Sequence, residues 1–244
     1  VPDSLAINSG AGQDTITIAD DVTMSGGIET GSEVDTVTVG NNVSIGGGIG
    51  LGSGIDTITF NGIATTNLNA GTGNDQIILA TTAVVTGVLD GGTGSDTIST
   101  GDTATTFVID SVDAGAIIGR ASSFQGIENL VGGTAADVFR FQNTGALTSG
   151  SINGGTGVAI DVIEGDVDAN RFLISGMDSG LYFADAADLT ASASFTDIES
   201  LDGRSGNDVF EFGISGFLTD ELDGGAGSDE LIGSNNGDLF DVTA

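Results

Sequence analysis

An aspartate returns at nearly fixed intervals along this chain, and that recurrence limits the available folds more than any other feature. It falls at Asp14, Asp35, Asp56, Asp75 and Asp96, at intervals of 21, 21, 19 and 21 residues. Periods near twenty residues belong to architectures in which one short unit stacks on the next. Apolar residues keep their places within each interval. They are Ile16, Ile18, Val22, Met24 and Ile28 in the first, Val37, Val39, Val43, Ile45 and Ile49 in the second, and Ile77, Leu79, Ala83, Val85 and Leu89 in the fourth. A spacing of two is the strand period, because successive strand side chains point to opposite faces. Asp20-Asp21, Asn41-Asn42 and Gly46-Gly47-Gly48 interrupt the runs with turn-forming residues. Each unit reads as two or three short strands joined by bends.

A helical-hairpin repeat is excluded by the period of two, by 42 glycines and by strand positions rich in Val, Ile and Thr. A unit this short buries no core by itself, whereas units stacked about 4.8 Å apart place Ile on Ile in an interior column. The expected fold is all-β: a parallel β-solenoid (β-helix or β-roll) of about 11 coils, with about 21 residues per coil.

Residues 1–115 carry the regular units. From 116 to 207 the pattern degenerates. The marker reappears at Asp137, 41 residues after Asp96, an interval that suits two coils with one degenerate turn between them. An insertion at Val158-Ala159-Ile160 displaces the next marker to Asp161, and the 47 residues from there to Asp208 again suit two coils. Phe124-Gln125-Gly126-Ile127-Glu128-Asn129-Leu130 is echoed by Phe195-Thr196-Asp197-Ile198-Glu199-Ser200-Leu201, which implies a longer super-repeat. Residues 208–244 are regular again and end in two tandem nonapeptides, Gly224–Ile232 and Gly233–Asp241. The chain begins Val1-Pro2-Asp3-Ser4 and neither end carries a clear cap, so the native object is expected to continue into a larger repeat protein or to self-associate.

Charge narrows the partners. There are 35 Asp and Glu against four cations, all arginine (Arg120, Arg140, Arg171, Arg204), for a net charge of -31. Nucleic acid is excluded, because its binding rests on Lys and Arg displacing counter-ions from phosphates. No run of eighteen apolar residues exists, so no membrane insertion through a helix is expected. With no Cys and no His, the chain lacks thiolate sites, the commonest general base and the commonest transition-metal ligand.

The best copies of the turn, such as Leu89-Asp90-Gly91-Gly92-Thr93-Gly94-Ser95-Asp96-Thr97-Ile98, follow Gly-Gly-x-Gly-x-Asp-x-apolar-x. This resembles the calcium-binding nonapeptide of the repeats-in-toxin proteins, a secreted bacterial class. The degenerate Phe-x-x-Ile-Glu-x-Leu and glycine-aspartate repeats are similar to those of giant bacterial adhesins and surface-layer or filament proteins. The resemblance implies Ca2+ held between turns. Asp75, Asp96, Asp208, Asp229 and Asp238 carry the motif best, and Asp14, Asp35, Asp56, Asp90, Asp137, Asp202 and Asp223 are weaker candidates. Aspartate oxygens are hard ligands of the kind calcium favours, and a cation would relieve a column of like charges. The competing reading has each aspartate cap its own turn through backbone hydrogen bonds, without metal.

The outward pairs Thr15/Thr17, Thr36/Thr38 and Thr57/Thr59 form a small array similar to the ice-contacting face of β-solenoid antifreeze proteins. Threonine is also simply a good outward strand residue, and Gln76-Ile77-Ile78 interrupts the array. Nothing singles out a catalytic pair among the acids, and no Trp is present to stack a sugar. The phenylalanines Phe139, Phe141, Phe210 and Phe212 alternate as core residues do. The expected function is structural and not enzymatic: a calcium-stiffened stalk, filament or lattice element of a secreted bacterial surface protein. The second reading is an adhesin module for cell-surface glycans, and the third a polysaccharide-active β-helix enzyme.

Overall fold

The structure, a computed structural model, describes residues 5–188 and 190–234. Among them there is no helix: all regular structure is strand, gathered into a 15-stranded sheet, a 12-stranded sheet and one two-stranded pair. Pairing in both large sheets is parallel and in register across successive units. In the 12-stranded sheet Thr15–Ile18 lies on Thr36–Val39, then Thr57–Phe60, Gln76–Leu79 and Thr97–Thr100, so Ile16, Val37, Ile58, Ile77 and Ile98 form one column. The larger sheet stacks Ile7, Ile28, Ile49, Leu68 and Leu89 in the same way.

All ten apolar positions expected inside in the second and fourth units are buried. In the first unit Ile18, Met24 and Ile28 are buried, while Ile16 and Val22 are packed against the core from its margin. Further along, aromatic residues take over the interior. Phe107 stacks on Phe139 with ring centroids 4.8 Å apart, and Phe172 on Phe210 at 5.0 Å. The outward threonines are in register from Thr15 to Thr57 and from Thr17 to Thr59, and the next members are Gln76 and Ile78.

Two stretches depart from the parallel pattern. The interval from Asp96 to Asp137 holds antiparallel as well as parallel strands. Thr106–Ser111, Ala114–Ile117 and Ala121–Gln125 run as an antiparallel meander in the larger sheet. Arg171–Gly176, Ser179–Phe183 and Ala193–Thr196 make the equivalent meander in the 12-stranded sheet. The first tight turn in each holds an aspartate in the left-handed region, Asp113 at φ 54° and Asp178 at φ 49°. Two residues on, Gly115 and Gly180 face the Phe124 and Phe195 rings, where a Cβ would lie 3.0 and 2.8 Å from the ring edge. The recurring Asp-x-Gly followed by Phe-x-x-Ile-Glu-x-Leu is thus the signature of a meander and of the strand that resumes stacking after it.

Turns stack as closely as strands. Gly54, Gly73 and Gly94 occupy one column with φ of 159°, 135° and 144°, and a Cβ on Gly73 would fall 1.5 Å from the Gly54 carbonyl oxygen. Glu33 stands at this position one unit earlier with φ 80°, a conformation a non-glycine residue adopts at a cost. Glu33→Gly is therefore expected to raise unfolding free energy by about 1 kcal/mol, and Gly73→Ala to lower it by about 3 kcal/mol or more. Chemical denaturation of the two variants checks both directions.

Candidate functional site: a buried carboxylate ladder

The recurring aspartates converge on one structural role. Each sits just before a strand, and its carboxylate lies beside the unit that precedes it. Oδ1 of Asp35 accepts the Asp14 N–H at 2.8 Å, and Asp56, Asp75 and Asp96 repeat the bond at 2.7, 2.8 and 2.7 Å. The run ends where Oε2 of Glu128 accepts the Asp96 N–H at 2.8 Å. A second run has Asp137 accepting from Thr105, Asp161 from Asp137 and Glu199 from Asp161. In a third, Asp208 accepts from Asn170 and Asp229 from Asp208. The glutamates that end the first two runs are those of the Phe-x-x-Ile-Glu-x-Leu echoes. The cap thus crosses between units, whereas the sequence reading without metal placed it inside one turn.

Local sequence makes room for the carboxylate. A Cβ on Gly132, Gly203 or Gly224 would come within 2.4, 2.5 or 2.6 Å of Oδ2 of the aspartate five residues later. The leading glycine of these motif copies is therefore a seat for the marker side chain.

Burial along the ladder is nearly complete. Asp35, Asp56, Asp75, Asp96, Asp137 and Asp208 are 0 to 2% exposed. Oδ2 of these six, and that of Asp14, is sealed from solvent with no hydrogen-bond partner among the described residues. Loss of hydration pushes the carboxyls of Asp56, Asp96, Asp137 and Asp208 up to about 6, and that of Asp161 to about 7. Asp75 is raised by the same cause. The backbone N–H bond pulls each partly back down, while adjacent carboxylates push Asp56, Asp96, Asp161 and Asp208 higher.

The remaining sequence candidates fall elsewhere. Asp90, Asp202 and Asp223 cap their own turns, accepting the N–H of Gly92, Arg204 and Gly225 two residues on. Asp202 stacks between Glu164 and Asp223, and Arg140 and Arg204 pair with that Glu164. Asp229, which ends the third run, is exposed, and Asp238 lies outside the described residues. Arg120, to which the sequence reading gave no role, is 7% exposed. Its guanidinium donates to the Leu79, Ala80 and Ala83 carbonyls and to Thr105 Oγ1, tying the last regular units to the head of the second run. Its one sequence signal is rarity, since it is among only four cations.

Calcium takes six to eight oxygens at about 2.3–2.6 Å. Among the described residues no three acidic side chains are placed to hold one metal ion. Oδ1 is occupied by the neighbouring N–H, and the turn carbonyls of Gly31, Gly52 and Gly71 accept from Ser53, Thr72 and Thr93. The sealed Oδ2 atoms are the one feature that favours a cation.

Two expectations separate these roles. Asp75→Ala strands the buried Asp56 N–H and should cost about 1–3 kcal/mol, whereas Asp75→Asn keeps the acceptor and should match or exceed the parent at pH 8. A comparable loss in both variants by urea denaturation would return the site to metal binding. A raised native pKa favours the protonated form, so this stabilisation is complete below the ordinary aspartate value of 3.8 and is lost as pH rises through about 6. Calorimetry should find a higher melting midpoint at pH 5 than at pH 8, and a flat or inverted profile contradicts the buried columns. Comparison of the chain with family models, with curated proteins and with solved structures found no match, so the ladder's role rests on this chain's own geometry.

Proposed function

We propose that the described residues coil as a parallel β-solenoid and serve as a structural element, a stalk, filament or lattice subunit, of an extracellular bacterial surface assembly. One observation carries this reading: each large sheet runs as an unbroken path of 12 hydrogen-bonded neighbouring strands, parallel except at the two meanders, between Ile7 and Ile232. Such an object grows in length by adding units and needs no site of its own, which is what a spacer requires. Its high negative charge favours solubility and keeps unspecific contacts with other acidic surfaces low. The resemblance of the glycine-aspartate repeats to those of secreted surface proteins supplies the extracellular setting. Calcium is an accessory to this proposal, since the ladder is closed by backbone N–H donors without it.

The cysteine-free chain takes site-selective labels directly. Spin labels at Thr15→Cys and Glu230→Cys lie on the first and last strands of the 12-stranded sheet, separated by eleven spacings of about 4.8 Å, or about 53 Å. A pulsed-resonance distance near that value is expected, and one below about 40 Å rules the solenoid out. Melting the same sample in calcium and in chelator decides the accessory question: equal midpoints remove calcium, and a higher midpoint with calcium gives it a place.

A further inference from the structure

The larger sheet carries a trough on its outer face. One outward column there runs Glu29, Gly50, Asn69, Asp90 and Gln125 over five neighbouring strands. Gly50 is the one member without a side chain, and the Glu29 carboxylate reaches over it, so that a Cβ there would lie 2.4 Å from Oε2. With Gly48, Gly52, Asn67 and Val88 these residues line a cavity of about 570 Å3. Four strand spacings of about 4.8 Å separate Glu29 from Gln125, so the trough runs for about 19 Å along the stack.

The backbone of its floor is already occupied. The carbonyls of Gly48, Gly50, Asn67, Asn69 and Asp90 accept from the N–H groups of Ile28, Thr30, Ile49, Leu51 and Ala70. An extended peptide therefore finds no open edge here, and side chains have to do the binding. Asp90 is also committed, since its two oxygens accept the Gly92 N–H at 3.1 Å and Nε2 of Gln125 at 2.9 Å. Oδ1 of Asn67 accepts the Val88 N–H at 3.0 Å, which leaves the Asn67 amide nitrogen, and Gln125 keeps its Oε1. The side chains of Glu29 and Asn69 are exposed and make no hydrogen bond among the described residues.

A row of amides with a single free carboxylate selects the kind of ligand. An amide both donates and accepts in one plane, which matches the paired hydroxyls of a sugar ring. Acidic ligands are repelled by Glu29, by Asp90 and by the net charge of -31. Among the described residues no three acidic side chains are placed to hold a metal ion. Gly50 and Gly52 have no side chain to hold a ring away from the floor, and Val88 offers an apolar contact beside the amides. We propose that this trough binds a neutral oligosaccharide, laid along the stack with its hydroxyls on Glu29, Asn67, Asn69 and Gln125. The assignment goes beyond the stalk reading and does not depend on it.

Affinity electrophoresis tests the site on the chain as it stands, in native gels cast with mannan, galactomannan, dextran or mixed-linkage β-glucan and with alginate as the acidic control. At least one of the neutral polysaccharides is expected to retard the chain, and alginate is not. A tetrasaccharide of the retarding polymer should restore mobility at a lower concentration than its monosaccharide. Asn69→Ala removes an exposed amide that holds nothing in the fold and should weaken binding about tenfold. Asn61→Ala removes an exposed amide outside the trough and should change affinity less than about twofold. No retardation by any neutral polysaccharide, equal retardation by alginate, or equal weakening in Asn69→Ala and Asn61→Ala would each overturn the proposal.

Discussion

The bond from a buried aspartate to the backbone N–H of the preceding unit is the interaction on which the rest of this structure depends. Strands satisfy their own backbone groups wherever they run side by side, but a corner turns its N–H away from the ladder. An acceptor has to reach across the gap between units, and Asp35, Asp56, Asp75 and Asp96 each supply it for the unit before. Corners fixed this way keep the apolar columns aligned. Without a fixed corner, a slip of one residue would turn Val37 and Val39 outward and bring Thr36 and Thr38 in.

The choice of aspartate over asparagine has a consequence of its own. A neutral amide would make the same Oδ1 bond, and Asn170 stands at the head of the third run. Carboxylates in this place carry a second, sealed oxygen that water does not reach. The molecule thereby holds a row of groups whose charge is disfavoured by burial. Stability and net charge are in this way linked to the same titration.

Much of the architecture was legible in the sequence because a period of 21 and an alternation of two have few structural solutions. The columns through Ile16 and Ile28, the interior place of Phe139 and Phe210, and the marker positions all follow from that arithmetic. The meanders did not. They preserve the strand alternation while reversing direction, and alternation carries no sign of direction. The usable signal was the paired Asp113-Ala114-Gly115 and Asp178-Ser179-Gly180, two copies of one hairpin turn. The partner of each marker was also beyond reach, since an aspartate before a strand looks the same whether its oxygen meets its own turn, a metal ion or the next unit.

The two meanders also separate the order of the chain from the order of the stack. Ala121–Gln125 rests on Val84–Asp90, while the earlier Thr106–Ser111 lies two strands further on and contacts Val138–Phe141. The same inversion recurs in the other sheet, where Ala193–Thr196 lies on Ser151–Gly155 and Arg171–Gly176 meets Val209–Phe212. Assembly that zips from the amino end one unit at a time must therefore pause at residue 105. It resumes only when the segment to Gln125 has emerged and folded back, and it stops again at 170 until Thr196 is available. A chain of this kind matures in blocks, and the first two blocks each close with the glutamate that ends their carboxylate run.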